Sequence, residues 1–177
     1  MNPMNRSPYS EQRVLAIDPT VRGLGYAVIE GGTRLVDWGG RRARYGKKNR
    51  HSVGRVAELI ARYEPDALVI EDCAARESRR CPRVERLVAA IERLAASKGI
   101  ALRKISRATV EGAFSEAGAS TKHEIATAIA GRFPQLAVWL PPVRKRWMNE
   151  TYRVGIFDAM ALGLTFFSLE EEQARAA

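Results

Sequence analysis

Two apolar tetrapeptides, each ending in a carboxylate, constrain this chain most. Val14 to Ile17 runs into Asp18, and Ala67 to Ile70 runs into Glu71. Each run is too short for a helix, has no polar alternation, and is closed by turn-forming residues, so each reads as a strand buried on both faces. Strands of that kind belong to α/β sheets covered by helices on both sides. An acid at the end of each places two negative groups at the carboxyl edge of the sheet, where open α/β folds keep their sites.

The remaining elements fit that frame. Gly23 and Gly25 mark a turn, Tyr26 to Glu30 is a second strand, Gly31-Gly32 a hairpin turn, and Arg34 to Trp38 a third strand. Ser52 caps a helix running to Tyr63, with Val56, Leu59 and Ile60 on one face. Pro82 opens a helix reaching Ser97, whose Val84, Leu87, Val88, Ile91 and Leu94 recur at helical spacing. Ile100 to Ile105 is a fifth strand. Thr121 and Glu124 have capping-box spacing ahead of Ile125, Ala128 and Ile129, and Pro134 closes that helix. A last helix spans Glu150 to Ser168. The expected fold is a five-stranded mixed sheet, three antiparallel strands followed by two parallel ones, flanked by helices. Residues 1–12 read as a flexible tail, 13–168 as one domain, and 169–177 as a charged C-terminal tail.

A third acid carries the chemistry further. Asp158 is the only charge between Ile156 and Phe167, with Val154, Ala161, Leu162 and Thr165 around it at helical spacing. An ionised carboxylate there is costly unless it binds a metal or pairs with an arginine such as Arg153. Three hard oxygen donors suit Mg²⁺ or Mn²⁺ rather than zinc, and such a cluster can hold two ions roughly 4 Å apart. One ion activates water and the other stabilises the leaving oxygen of a phosphodiester.

The net charge of +9 points to a polyanionic partner. Basic residues cluster at Arg41, Arg42, Arg44, Lys47, Lys48 and Arg50, at Arg76, Arg79, Arg80 and Arg83, and at Arg144 to Arg146. The second cluster starts just past Glu71 and is the best candidate for a DNA contact; the others also suit solvated faces. Trp38 and Trp139 read as core residues, and His51 and His123 receive no role. Cys73 and Cys81 cannot build a disulfide framework or a zinc site. Without an apolar leader or an 18-residue apolar run, the expected compartment is the cytoplasm, with no membrane contact.

The motifs resemble those of the RuvC-type Holliday junction resolvases, in the RNase H-like superfamily. Leu15-Ala-Ile-Asp18-Pro-Thr-Val-Arg22-Gly-Leu-Gly25-Tyr26 resembles the family's first strand and turn, and Pro65-Asp-Ala-Leu-Val-Ile-Glu71 its second acidic motif. Gly118-Ala-Ser-Thr-Lys122 resembles the segment with an active-site lysine, and Gly155-Ile-Phe-Asp158-Ala-Met-Ala-Leu162 the final helix. The resemblance implies an RNase H-like fold, a homodimer with part of its seam on the Val84–Leu94 face, and Mg²⁺-dependent paired nicks across four-way DNA junctions. It assigns Asp18, Glu71 and Asp158 as metal ligands and Lys122 as a positive group near the scissile phosphate. Arg22 is a further expected DNA contact. Three positions depart from the pattern. Gly155 stands where the family has an acid or histidine, Ala74 where many members carry an aromatic wedge, and Glu111 where some carry a second lysine. The alternatives are an RNase H-like nuclease on another branched or hybrid substrate, and a branched-DNA-binding module that does not cut.

Overall fold

The computed structural model describes residues 11–21, 23–42, 48–72, 81–143 and 152–176. Eleven elements follow in order: β1 (Arg13–Thr20), β2 (Gly23–Glu30), β3 (Arg34–Arg42), α1 (Lys48–Tyr63), β4 (Ala67–Glu71), α2 (Pro82–Ser97), β5 (Ala101–Ile105), α3 (Arg107–Ser115), α4 (Lys122–Arg132), a 3-10 turn (Pro134–Trp139) and α5 (Tyr152–Ala176). The sheet order is β3-β2-β1-β4-β5. β1, β2 and β3 pair antiparallel, while β4 joins β1 and β5 joins β4 in parallel. This is the mixed sheet expected from the sequence. Gly31 and Gly32 take φ of 54° and 68°, the two positive values a tight hairpin turn requires.

Strand alternation divides the core into two layers. Leu15, Ile17, Leu68 and Ile70 face α1 and α2, where they meet Val56, Leu59, Leu87 and Ile91. Val14, Ala16, Ala67 and Val69 face the opposite way, toward α4 and α5, against Ile129, Ile156, Ala159 and Met160. Both faces of β1 and β4 are therefore dry, which explains the unbroken apolar runs. Val84, Leu87, Val88 and Ile91 are buried within the chain, so a seam with a second subunit would use other residues of α2.

Several boundaries differ from the sequence reading. α1 begins at Lys48, four residues before the cap expected at Ser52. Gly25 lies inside β2, paired with Asp18, not in a turn. Its lack of a side chain serves packing, because a Cβ there would sit 2.1 Å from the carbonyl oxygen of Gly155. α5 continues to Ala176, so the charged segment after Ser168 extends a helix. That extension is anchored where Glu170 accepts from Arg103 at 2.7 Å. α3 and the 3-10 turn were not foreseen. No helix among the described residues is long and apolar enough to cross a membrane.

Candidate active site

Parity and register bring two acids to one place. Ile17 pairs with Ile70 across the parallel β1–β4 ladder, so the next residues, Asp18 and Glu71, stand at the same level of the carboxyl edge. Both are out of phase with Leu15, Ile17, Leu68 and Ile70, so they project toward the α5 side of the sheet. Asp158 meets them from α5. Asp18, Glu71 and Asp158 line one pocket, together with Arg107, Val110, Ala161 and Leu162. Among the described residues, the acids that line this pocket are the three singled out from the sequence. Asp18 is 2% exposed, whereas the Asp158 side chain keeps 15% of its surface in solvent.

Asp158 is held by two cations. Lys122 Nζ donates to Oδ2 at 2.6 Å, and Arg107 Nη1 lies 3.4 Å from Oδ1. Arg153, the partner suggested by sequence, instead stacks its guanidinium 5.7 Å from the Trp139 ring. Arg107 also donates from Nε to Glu111 Oε1 at 2.8 Å. Burial pulls the pKa of this guanidinium down, but the hydrogen bond to Glu111 and the fields of Asp158, Glu111 and Glu71 outweigh it and raise the value. Glu111, where the resemblance suggested a lysine, is the residue that tethers this arginine.

Local structure places each cation. Ser106 caps α3 by accepting from the backbone N–H of Thr109 at 3.1 Å, which sets Arg107 at the first helical position, directly after β5. Lys122 opens α4 behind a closed capping box. Thr121 Oγ1 accepts from the Glu124 amide at 3.2 Å, and Glu124 Oε2 accepts from the Thr121 amide at 2.9 Å. The carboxyl of Glu124 is held at about 2, first by the Ser120 amide, then by that of Thr121 and by both side chains.

Gly155 faces the first acid. A Cβ at this position would lie 3.4 Å from Asp18 Oδ2 and 3.4 Å from the backbone of Gly25. Position 155, where the resemblance implied an acid or a histidine, therefore lies beside Asp18. Among the described residues, no three acids, histidines or cysteines converge closely enough to form a ready metal cage. The donor set nevertheless fits Mg²⁺ or Mn²⁺ in kind, being three carboxylates around one cleft. An ion drawing on Asp158 would compete with Lys122 and Arg107 for the same oxygens.

Of the expected DNA contacts, Arg22, Lys47, Arg76, Arg79 and Arg80 lie outside the described residues, as do Cys73 and Ala74 and the side chain of Lys48. Arg50 is exposed in the first turn of α1, on the opposite face of the sheet from α5. Because α1 runs back to feed β4, its start lies at the same edge as the acids. Asn49 Nδ2 donates to the Arg83 carbonyl at 3.1 Å and so ties the start of α1 to the start of α2. Arg107 was missed by the sequence reading, although Ser106 three residues before Thr109 is a usable cap signal.

A mixed five-stranded sheet with acids at adjacent strand ends and on the closing helix defines an α/β protein of the RNase H-like fold. Solved structures agree on this fold. The chain superposes on Thermus thermophilus RuvC in complex with a Holliday junction substrate with a TM-score of 0.65 at 20% identity, covering 91% of this chain and 96% of that one. The yeast mitochondrial Holliday junction resolvase Ydc2 gives 0.65 at 13% identity, with 94% and 82% covered. The fowlpox virus Holliday junction resolvase gives 0.55 at 14%, with 89% and 99% covered. No family model matches the chain, and no curated protein matches it significantly in sequence.

Proposed function

We propose that this chain is a metal-dependent endonuclease that cuts branched DNA, and that its substrate is the four-way junction. The observation that carries the reading is the convergence of Asp18, Glu71 and Asp158 on one pocket, bordered by Arg107 and Lys122. Two neighbours that share the fold are named Holliday junction resolvases and a third is in complex with a Holliday junction substrate, which supports the choice of substrate. Asp18, Glu71 and Asp158 would hold Mg²⁺ or Mn²⁺, as two ions. Bound there, such ions supply an activated water and stabilise the oxygen that leaves.

The chain's own residues do the rest. Lys122 sits on Asp158 and is 45% exposed, so it can turn to the non-bridging oxygens of a phosphate. The apolar wall of Val110, Ala161 and Leu162 keeps bulk water from one side of the pocket and strengthens the charges inside it. Arg22, Lys47, Lys48, Arg50, Arg76, Arg79 and Arg80 grip the backbone of the arms, with counterion release as the driving force. Two such subunits in a homodimer would nick opposing strands as a pair.

The hold of Lys122 and Arg107 on Asp158, together with Gly155 in place of an acid, favours a second reading, in which the protein binds branched DNA without cutting it. One experiment decides. Purified protein is incubated with a labelled four-way junction, a flap, a linear duplex and an RNA–DNA hybrid, in Mg²⁺ and in Mn²⁺. Symmetric nicking of the junction alone supports the proposal. Cutting of another substrate moves the assignment to a different RNase H-like nuclease, and tight binding without cutting supports the second reading. Asp158→Asn is expected to abolish cleavage while junction affinity stays within a few-fold; undiminished cleavage would remove Asp158 from the site. Affinity is expected to fall steeply with added salt.

A further inference from the structure

Among the described residues, Arg107 is paired differently from Arg103 and Arg34. Arg103 closes on Glu170 at 2.7 Å and Arg34 on Glu30 at 2.9 Å, both away from the acid pocket. These are the distances of settled charge-assisted pairs. Arg107 makes its short bond, 2.8 Å, with Glu111 through Nε, one turn along α3. Its Nη1 reaches Asp158 only at 3.4 Å, at the limit of a hydrogen bond. The guanidinium is thus fixed at its stem while the end in the acid pocket is loosely engaged. It keeps 25% of its surface in solvent, so a ligand can reach it.

The charge balance indicates what that end binds. Among the described residues, three carboxylates and Arg107 line the cleft, with Lys122 on Asp158 and Glu111 on the Nε of Arg107. If divalent ions drew on Asp158, the Nη1 end of Arg107 would lose that contact while Nε stayed on Glu111, and an N–H end without an acceptor in a half-buried pocket is costly. The planar fork matches two non-bridging phosphate oxygens, a geometry an ammonium cannot offer.

We infer that Arg107 is a phosphate-binding residue of the active site, oriented by Glu111, and that it takes the non-bridging oxygens of the scissile phosphodiester. This rests on the nuclease reading above. Arg107 would then act where charge develops during the reaction, with Glu111 as its positioning residue.

The test uses the full chain, a labelled four-way junction and Mn²⁺, with Arg107→Ala, Arg107→Lys and Glu111→Gln. Arg107→Ala is expected to lower kcat about 100-fold, the scale of losing one preorganised donor, with KM changed only a few-fold. Added ethylguanidinium is expected to restore part of that activity, which a merely structural role would not allow. Mn²⁺ affinity, measured by calorimetry without DNA, is expected to stay equal or tighten, because a competing cation has gone. Arg107→Lys should keep more activity than the alanine variant. Glu111→Gln changes an exposed side chain that does not endanger the fold, and should lower kcat about 10-fold by loosening the stem.

Wild-type cleavage matched by Arg107→Ala or by Glu111→Gln would overturn the assignment and leave the nuclease reading intact. A loss in Arg107→Ala that ethylguanidinium does not rescue, with weakened Mn²⁺ binding, would overturn it in favour of a role in shaping the acid cluster. A wild-type protein that cuts none of the substrates would remove both.

Discussion

The α-carbon of Gly155 faces the carboxylate of Asp18, with a Cβ position 3.4 Å from Oδ2. That is ordinary contact distance, and the nearest backbone, at Gly25, also lies 3.4 Å away. A side chain could therefore be built here without moving β2. Gly155→Asp is expected to place a fourth carboxylate beside Asp18. Two like charges in a cleft repel, so the variant should melt lower than wild type without metal. Mn²⁺ should bind about 10-fold more tightly, and saturating Mn²⁺ should restore much of the melting temperature. Calorimetric titration and thermal melts with and without Mn²⁺ check both parts; unchanged ion affinity would place residue 155 outside the ion site.

Gly25 is the reverse case. A Cβ there would lie 2.1 Å from the Gly155 carbonyl oxygen and 2.2 Å from its carbon. Both atoms are backbone, so relief requires α5 to move off the sheet. Since α5 carries Asp158 and β1 carries Asp18, the shift would also separate two acids. Gly25→Ala is expected to cost about 3 kcal/mol, as overpacking of a tight core does. Denaturant unfolding measures that loss, and cleavage should fall by more than the folded fraction explains.

How far the sequence carried this picture depends on where each signal resides. Asp18 and Glu71 were legible because a fully buried strand reads as an apolar run and the acid ends it. Asp158 was legible as a lone charge in an apolar helix. The partner of Asp158 was not. Arg153 is near in sequence, whereas Arg107 and Lys122 arrive through the packing of α3 and α4 on α5, which no local spacing encodes. α3 escaped notice because it buries only Val110 deeply and so lacks an apolar stripe. Gly25 looked like turn punctuation, since the sequence does not show that a helix backbone presses on it.

On the other side of the sheet, Asp37 collects two phenols. Tyr63 Oη donates to its Oδ2 at 2.6 Å and Tyr26 Oη donates at 3.0 Å, which ties α1 to β2 and β3. Burial, then the bond to Asp37 and its charge, pushes the Tyr63 phenol from 10.0 up to about 12. The folded protein therefore holds this proton more tightly than the unfolded chain. The stabilisation is complete below pH 10 and is lost as pH rises through about 12. Absorbance of tyrosinate should show a late-titrating phase that Tyr63→Phe removes. That variant should cost about 1 kcal/mol at neutral pH and flatten the alkaline decline in stability.

The capping box of α4 links acid stability to Lys122. Glu124 is held at about 2, well below its ordinary 4.5, because its carboxylate accepts from the amides of Ser120 and Thr121. The unfolded chain binds this proton more readily, so the contribution is present above pH 4.5 and fades as pH falls through about 2. Glu124→Gln keeps the shape but loses the charge-assisted bonds, and should remove part of the acid-side decline. Thr121→Ala opens the box at the residue before Lys122 and should cost about 1 kcal/mol. If the cap fixes where Lys122 enters the cleft, Thr121→Ala will also slow cleavage under conditions where the protein remains fully folded. Parallel denaturation curves and single-turnover rates separate the two effects, and an unchanged rate would show that α4 holds Lys122 without its cap.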